Sequence, residues 1–161
     1  MAYNIAWRIL KNREDAEEAA QDSFLKVFQS LKEFKGESKF STWLFRIVYN
    51  NSISRVRKKK LDLISIDDEN YEWMEPAEMS KEMERLSQNE QKKYVNEAIN
   101  KHPEDAAAIV TLFYMNESSI EEISAVTGLS QSNVKVKLFR SRKRIHDELQ
   151  GMLKEELADI I

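Results

Sequence analysis

The chain has 161 residues, no cysteine and a formal net charge of -3 at pH 7. That length suits one ordinary domain or two small ones, and the lack of thiols excludes disulfide bridges and thiolate metal sites. Three glycines, two prolines and an abundance of Glu, Lys, Ala and Leu predict an all-α fold. No stretch approaches the roughly 20 apolar residues that a membrane span needs, so we expect no membrane insertion and a cytoplasmic location.

The charges are segregated along the chain. Positions 46–60 hold six cations and no acid, positions 67–90 hold nine acids, and positions 135–144 hold a second block of six cations. Two basic segments separated by an acidic one suggest two contacts with a single polyanion. Chance clustering on solvated helices accounts well for one block and poorly for both.

The first two helices are predicted between the N-terminus and Gly36. The first reaches about Lys11, and the second begins near Asn12 or Glu14. Apolar residues on the second helix recur at steps of three and four, which predicts an inward stripe. The stripe consists of Ala16, Ala20, Phe24, Val27, Phe28 and Leu31. The opposite face is acidic near the helix start, which stabilisation of the helix dipole alone would explain.

A third helix is predicted over TWLFRIVYNNSISRVRKKK, after a loop at positions 35–39, with Ser41 or Thr42 as its cap. Its expected core contacts are Leu44, Ile47, Val48 and Ile53. Five aromatic residues lie beside the first basic block: Phe34, Phe40, Trp43, Phe45 and Tyr49. We expect Phe45 and one other in the core, while the rest could equally pack there or stack on unpaired bases.

An acidic linker is predicted at positions 61–78, where no helical period is sustained. Helical spacing then returns with Met83, Leu86, Tyr94, Val95, Ala98 and Ile99. Pro103 is expected as the first residue of the next helix, which would bury Ile109, Val110, Leu112 and Phe113.

The segment from Ser119 to Leu138 has the pattern of a helix-turn-helix. Ser118 or Ser119 with Glu121 or Glu122 can form a capping box, Gly128 can end the first helix, and Ser130 can cap the second. Val134, Leu138, Ile145 and Leu149 would face inward. The outward cations are Lys135, Lys137, Arg140, Arg142, Lys143 and Arg144. A cationic second helix after a tight turn suits the DNA major groove, although a helical hairpin with a solvated basic face would share the pattern.

Catalysis is not expected from this sequence. The two histidines, His102 and His146, do not stand with carboxylates at metal-ligand spacing. A Gly-rich phosphate loop, a GxSxG motif and a cysteine nucleophile are all missing. We therefore expect neither a metal nor a cofactor.

Two segments resemble bacterial extracytoplasmic-function (ECF) sigma factors, group IV of the sigma-70 family. QDSFLKVFQSLKEFKGESKFSTWLFRIVYNNSISRVRKK resembles region 2, and SIEEISAVTGLSQSNVKVKLFRSRKRI resembles part of region 4. The family pattern D-A-E-x-x-x-Q-x-x-F is met from Asp15 to Phe24, and F-x-G-x-x-x-F-x-x-W-L-x-R-I-x-x-N from Phe34 to Asn50. The resemblance implies region 2 at 1–60, a linker at 61–78 and region 4 at 79–161. Family members usually carry a further helix ahead of this start, so region 2 is expected to be N-terminally truncated.

The resemblance implies a sigma subunit that binds core RNA polymerase and directs it to promoters, not an enzyme. Region 2 would dock on the clamp coiled coil of the polymerase through Glu18, Gln21 and Asp22. The residues that would capture an unpaired base of the -10 element are Phe34, Lys35, Gly36, Glu37, Ser38 and Lys39. Asn50 would serve as a pocket amide, with Trp43 and Arg46 near the point where the duplex opens.

Region 4 would read the -35 element as duplex through Lys135, Val136, Lys137, Phe139, Arg140 and Arg142. We expect Arg140 and Lys135 at base edges, because Arg and Lys suit the acceptors of guanine. Arg142, Lys143 and Arg144 would bind phosphates, and Phe139 would contact a thymine methyl or pack. Val136 and Lys137 depart from the family pattern, so no known -35 sequence can be carried over.

Two other functions are compatible with parts of the sequence. A helix-turn-helix regulator that acts without polymerase explains the C-terminal cations and gives no role to the FKGESKF loop. An adaptor that does not bind DNA predicts no salt-dependent DNA affinity, whereas both DNA-binding functions predict a steep salt slope. An anti-sigma factor that wedges between the two domains is a typical partner in the family.

Overall fold

The computed structural model describes residues 1–60 and 87–159. Within these ranges the chain forms helices and no strand, which confirms the predicted all-α class. The helices are α1 (Ala2–Leu10), α2 (Arg13–Ser30), α3 (Phe40–Lys60), α4 (Gln88–Asn100), α5 (Glu104–Val110), α6 (Ile120–Thr127) and α7 (Gln131–Asp159). A 3-10 turn, Leu31–Glu33, follows α2, and a π-helical turn, Thr111–Met115, continues α5. The predicted linker, Met83 and Leu86 lie outside the described residues.

Helix α2 begins where the sequence predicts, but only Ala16, Ala20 and Val27 of the predicted inward stripe are buried. Asn12 is its N-cap, and the Asn12 side chain accepts a 3.0 Å hydrogen bond from the backbone N–H of Asp15. The buried residues are Ala16, Ala19, Ala20, Ser23 and Val27. The predicted burial of Phe24, Phe28 and Leu31 is wrong, because all three side chains are exposed. Small side chains let neighbouring helices approach α2 closely, so its alanine face packs and the larger apolar residues face outward.

Helix α3 begins at Phe40, so the predicted caps Ser41 and Thr42 already lie inside the helix. The backbone N–H of Trp43 donates to the carbonyl of Lys39 at 3.2 Å, which closes the first turn. Phe45 and Tyr49 are buried, as expected for Phe45 and one other aromatic residue. Burial raises the pKa of Tyr49 to about 12, and nearby Asp105 adds to this shift.

The second half of the chain follows the predicted order of helices. Helix α4 ends before Pro103, which is the N-cap of α5, so α5 begins at Glu104, one position after the predicted start. Ile109, Val110 and Leu112 are fully buried, and Phe113 is half-buried.

The helix-turn-helix forms with the caps that the sequence predicts. Ser119 and Glu122 make a reciprocal capping box at the start of α6. Gly128 ends α6 with φ 76°, a left-handed conformation in which glycine avoids the strain of a side chain. The Ser130 hydroxyl accepts from the backbone N–H of Asn133 at 3.2 Å at the start of α7. Val134 and Leu138 then anchor α7 in the core.

The two halves of the molecule share one hydrophobic core. Helix α1 packs on α2, α3 and α5, and α3 also packs on α6. Ile5 and Ile9 of α1 therefore belong to the same buried cluster as Ile109 of α5 and Ile123 of α6. The N-terminal part (α1–α3) and the C-terminal part (α4–α7) are thus packed against each other in this structure.

Candidate nucleic-acid interface

The second helix of the helix-turn-helix, α7, exposes the face opposite its buried residues. Val134, Leu138 and Ser141 are buried, whereas Val136 and Arg140 lie on the solvent side. Of the predicted DNA-contacting residues, Lys135, Val136, Arg140, Arg142 and Arg144 are exposed. Lys137, Phe139 and Lys143 are half-buried. A base-reading surface would therefore be centred on Val136 and Arg140.

Two of the predicted DNA-binding cations are held by neighbours on the flanks of α7. The ammonium of Lys137 lies 2.6 Å from the carboxylate of Asp105, at the start of α5. The guanidinium of Arg142 donates to the Tyr114 hydroxyl and lies 5.8 and 5.7 Å from the ring centroids of Phe113 and Tyr114. Cation–π contact of this kind holds a guanidinium in place without neutralising its charge. Arg142 is thus presented in one orientation at the edge of the exposed face.

A buried histidine, which the sequence did not single out, fixes the position of α7. The imidazole of His102 is 1% exposed, and its Nδ1 lies 2.8 Å from the carbonyl oxygen of Ala98 in α4. Its Nε2 lies 3.2 Å from the carbonyl oxygen of Ser141 in α7. One side chain therefore joins the end of α4 to the middle of the helix that carries the cations. In the sequence, His102 is marked only by its position directly before Pro103.

Acidification is expected to destabilise the fold through His102. Burial lowers the pKa of His102 and outweighs the contacts with the carbonyls of Ala98 and Ser141, which favour the protonated ring. Because the folded pKa lies below the unfolded value of ~6.5, the stability contributed by the neutral ring is present above pH 6.5 and is lost as the pH falls towards the folded pKa. Urea denaturation should show that the free energy of unfolding falls less between pH 7.5 and pH 5.5 in His102→Gln than in the unsubstituted chain. His146→Gln is the matched control, and an equal change in both variants would contradict the role of His102.

The loop between α2 and α3 carries most of the residues predicted to read the -10 element. Lys35, Gly36, Glu37, Ser38 and Lys39 are all exposed. Gly36 has φ 73°, so the loop turns at a residue that tolerates the left-handed conformation. The loop therefore presents two lysines, a glutamate, a serine and its backbone to solvent at the start of α3.

An aromatic cluster stands beside this loop. The ring centroids of Phe34 and Trp43 are 5.2 Å apart, and Phe40 lies 5.6 and 5.7 Å from them. Phe34 and Trp43 are half-buried and Phe40 is exposed, unlike the core residues Phe45 and Tyr49. Arg46 lies three positions after Trp43 and Asn50 four positions after Arg46, and both side chains are exposed on α3. The structure thus brings together the loop, the aromatic cluster and these two polar residues on one side of α3.

The acidic side of α2 forms a second exposed surface. Glu18 and Gln21 are exposed and Asp22 is half-buried. The guanidinium of Arg55 on α3 lies 3.0 Å from the Glu18 carboxylate and also binds Asp22. The largest cause that raises the pKa of Arg55 is its hydrogen bond with Glu18. Part of the first basic block is therefore turned towards α2, where it holds these carboxylates.

Apolar side chains continue this surface along α2. Phe24 is 53% and Phe28 79% exposed, and Leu25 and Leu31 are exposed as well. Phe24, Leu25 and Phe28 lie at helical steps of three and four from Gln21 or from each other, so they form one patch with it. We call these four apolar residues the α2 patch. Sequence reasoning missed it as a surface feature because it assigned Phe24, Phe28 and Leu31 to the core.

The described part of the chain carries no cluster of His, Cys, Asp and Glu residues that could hold a metal ion. Over the same residues, no helix is both long and apolar enough to cross a membrane.

The sequence and the fold both match known transcription factors. Residues 1–61 match the family model of sigma-70 region 2, and residues 92–145 match that of sigma-70 region 4. The ECF RNA polymerase sigma-E factor of Salmonella typhimurium is 30% identical over 87% of this chain and 76% of the relative. The ECF RNA polymerase sigma factor SigW of Bacillus subtilis is 28% identical over 93% of this chain and 83% of the relative. A solved structure of the sigma factor RpoE with the anti-sigma factor NepR, from Bartonella quintana, has a similar fold (TM-score 0.69, 23% identity, 92% of this chain and 89% of that one).

Two regional matches in the family order, with a helix-turn-helix in the second, define a sigma subunit of bacterial RNA polymerase. The chain belongs to the ECF sigma factors of the sigma-70 family. Its function is to bind core RNA polymerase and direct promoter recognition and the initiation of transcription, while the catalysis belongs to the polymerase.

Proposed function

We propose that this sigma factor divides its task among three surfaces. The acidic face of α2 with the α2 patch binds core polymerase. The loop at 35–39 with its aromatic cluster captures the -10 element, and the exposed face of α7 reads the -35 element. The observation that carries the proposal is that every residue of the three surfaces is exposed or half-buried, and none is buried in the shared core. We propose that the sigma factor binds polymerase and promoters in the cytoplasm, where the polymerase transcribes.

The proposed polymerase surface combines charge with apolar area. Protein interfaces have an apolar centre in which aromatic residues contribute most of the binding energy, surrounded by a polar rim. Phe24 and Phe28 supply such a centre, and Glu18, Gln21 and Asp22 supply the rim. Arg55 holds two of the rim carboxylates in defined positions before binding. This pre-positioning lowers the entropic cost of binding the polymerase.

The proposed -10 surface suits a single strand rather than a duplex. Exposed or half-exposed aromatic rings provide stacking platforms for unpaired bases, and Lys35 and Lys39 provide charge for the phosphates. Asn50 can both donate to and accept from the edge of an extruded base. The cluster of Phe34, Phe40 and Trp43 therefore supports contact with nucleic acid in addition to local packing.

The proposed -35 surface suits a duplex. Lys135 and Arg140 are placed for base edges, Val136 and Phe139 for apolar contact in the groove, and Lys137 for the flank of the groove. Arg142, Lys143 and Arg144 are placed for phosphates on the same side of α7 or at its edges. An anti-sigma factor that wedges between the N-terminal and C-terminal parts would complete the regulation typical of this family.

The proposal is tested by fluorescence anisotropy with a labelled promoter library, with this chain alone and with bacterial core polymerase. Selective binding only in the presence of core is the expected result, and the selected sequences define both promoter elements. Tight, selective binding without core would instead establish an operator-binding regulator. A steep dependence on salt is expected with core present, because phosphate contacts release counterions.

A further inference from the structure

The π-helical turn that precedes the helix-turn-helix contacts Arg142 of α7. This turn, Thr111–Met115, lies between α5 and α6. The backbone N–H of Asn116 donates to the carbonyl of Thr111 at 3.2 Å, five positions earlier in the chain. Such turns are rare, and they occur frequently at functional sites. The side chains of this turn are therefore candidates for a role beyond packing.

Two consecutive aromatic rings of the turn face the same cation. The ring centroids of Phe113 and Tyr114 are 4.9 Å apart, with an interplanar angle of 78°. Consecutive side chains of an α-helix do not face each other, whereas the wider π-helical turn brings them closer in direction. Both ring centroids lie less than 6 Å from the guanidinium carbon of Arg142, within the range of cation–π attraction.

Neutral groups hold Arg142, so its positive charge is not offset by an acid. The Tyr114 hydroxyl accepts a hydrogen bond from Nε of Arg142. Among the residues that the structure describes, no carboxylate forms an ion pair with Arg142, whereas Lys137 on the same helix is paired with Asp105. A cation that is held by uncharged partners keeps its full attraction for an external anion.

Tyr114 and Arg142 together offer hydrogen-bond donors to one acceptor. A phenolic hydroxyl can accept and donate at once, so the Tyr114 oxygen that accepts from Nε keeps its own O–H for another acceptor. The bond to Tyr114 uses the Nε–H of the guanidinium, and the N–H groups on both Nη atoms remain as donors. Tyr114 is 50% exposed and Arg142 is exposed, so a ligand can reach both side chains. Neighbouring donors of which one is cationic suit a DNA phosphate.

We propose that Tyr114 is a further DNA-contacting residue, whose hydroxyl binds the same phosphate of the -35 element as the guanidinium of Arg142. The proposal rests on the phosphate contact proposed above for Arg142. Tyr114 has two roles in this two-residue site: it holds Arg142 in one orientation, and it donates its O–H to a phosphate oxygen. Phosphate contacts position a protein on the duplex and carry no sequence information directly. The site therefore adds affinity for every promoter without reading its bases.

The test removes the charge of one phosphate at a time. Promoter duplexes carry a neutral methylphosphonate at successive positions of the -35 element, and anisotropy measures their affinity for the sigma factor bound to core polymerase. With the unsubstituted chain, the methylphosphonate at the phosphate bound by Arg142 should weaken binding. In Arg142→Ala the same methylphosphonate should cause no further loss, because the contact that it removes is already missing.

Tyr114→Phe isolates the contribution of the hydroxyl. It keeps the ring beside Arg142 and removes the group that accepts from Nε and donates to the phosphate. Affinity for duplexes with natural phosphates should fall about two- to tenfold, equally for cognate and scrambled -35 elements. The loss caused by the methylphosphonate at the shared phosphate should shrink by a similar factor. Tyr3→Phe, which removes the same hydroxyl from α1, is the matched control and should change neither value.

The outcomes separate this inference from the function on which it rests. If no methylphosphonate position responds to Arg142→Ala, then Arg142 does not bind a phosphate, and the two-residue site is wrong with it. If one position responds to Arg142→Ala and its loss is unchanged in Tyr114→Phe, Arg142 acts alone and only the role of Tyr114 is wrong. The double variant gives an independent check, because Tyr114→Phe should weaken binding less in the Arg142→Ala background than alone. Losses that simply multiply would show two separate contacts and overturn the shared site.

Discussion

Replacing Arg140 with alanine should weaken binding of the core-bound sigma factor to its own promoters by about 1–3 kcal/mol, or roughly 5- to 150-fold. Arg140 is exposed at the centre of the outward face of α7, opposite the buried Val134 and Leu138. A guanidinium there can make two hydrogen bonds to guanine in the major groove, and a wrong base leaves both groups unpaired. The loss should therefore fall on promoters that carry one particular base pair.

Measuring this effect requires anisotropy on two sets of duplexes, cognate promoters and the same promoters with a scrambled -35 element. Arg144→Ala is the matched control, because Arg144 is proposed to contact a phosphate. It should weaken binding on both sets by a similar factor and reduce the slope of log K against log salt by about one. If Arg140→Ala also weakens both sets equally, Arg140 contacts a phosphate and does not read sequence.

Lys137 should behave differently from Arg140 although the sequence places both on the same helix. Its ammonium is bound to Asp105, so contact with DNA would require that pair to break. Half-exposed ion pairs contribute about 0–1 kcal/mol to stability. Breaking the Lys137–Asp105 pair would therefore offset part of the binding free energy that Lys137 gains from DNA. We therefore expect Arg140 and Lys135 to contribute more to specificity than Lys137.

The helix-turn-helix was predictable because its signals are local. The capping box of Ser119 and Glu122, the left-handed Gly128 and the cap at Ser130 each act within a few residues, so tertiary packing only has to preserve them. The exposed face of α7 then follows from the buried positions by helical geometry. The helix-turn-helix and the exposed side of α7 are consequently the features that sequence reasoning predicted best, while the -35 contacts stay a prediction.

The large apolar residues of α2 were predicted on the wrong face for a physical reason that is specific to this helix. Apolar spacing favoured Phe24 and Phe28, whereas close packing with α1 and α3 buries Ala19 and Ser23 beside the correctly predicted Ala20. Large apolar residues are the usual core of a helix, and a helix that buries alanine and serine leaves them free for a partner. An exposed phenylalanine pair is thus informative only once the neighbouring helices are in place.

The contacts of Arg8 with α4 and the contacts of His102 could not be predicted from the sequence. Arg8 and Asn100 are 92 positions apart, and nothing local to either residue indicates that they meet. His102 likewise depends on Ser141, which lies 39 positions away. Long-range polar contacts of this kind are set by how the two halves pack, and the charge pattern predicted two basic blocks without indicating which cations pair internally. Arg55 and Lys59 of the first block are in fact bound to acids of α2.

Replacing Phe28 with serine should weaken binding to core polymerase by about 1–3 kcal/mol while leaving the fold nearly as stable as before. Phe28 is 79% exposed, so the folded free chain gains little from its ring, and the substitution opens no cavity. In the complex the same ring would lie at the centre of the α2 patch, where burial of a large aromatic side chain stabilises binding most. The two effects should therefore separate cleanly, with a large change in core affinity and a small change in urea midpoint.

Phe40→Ser is the matched control, because Phe40 is also an exposed phenylalanine but belongs to the aromatic cluster beside the loop at 35–39, which is proposed to contact the -10 element. It should leave the affinity for core polymerase unchanged and weaken promoter binding by the assembled complex. Phe28→Ser should weaken the affinity for core polymerase and leave promoter binding by the assembled complex unchanged. A saturating concentration of core polymerase would compensate for the weaker affinity and so restore promoter binding. Equal core affinity in the Phe28→Ser variant and the unsubstituted chain would show that the α2 patch is not the polymerase surface. The acidic rim of Glu18, Gln21 and Asp22 would then have to bind the polymerase through polar contacts alone, which predicts a much steeper salt dependence than an interface with an aromatic centre.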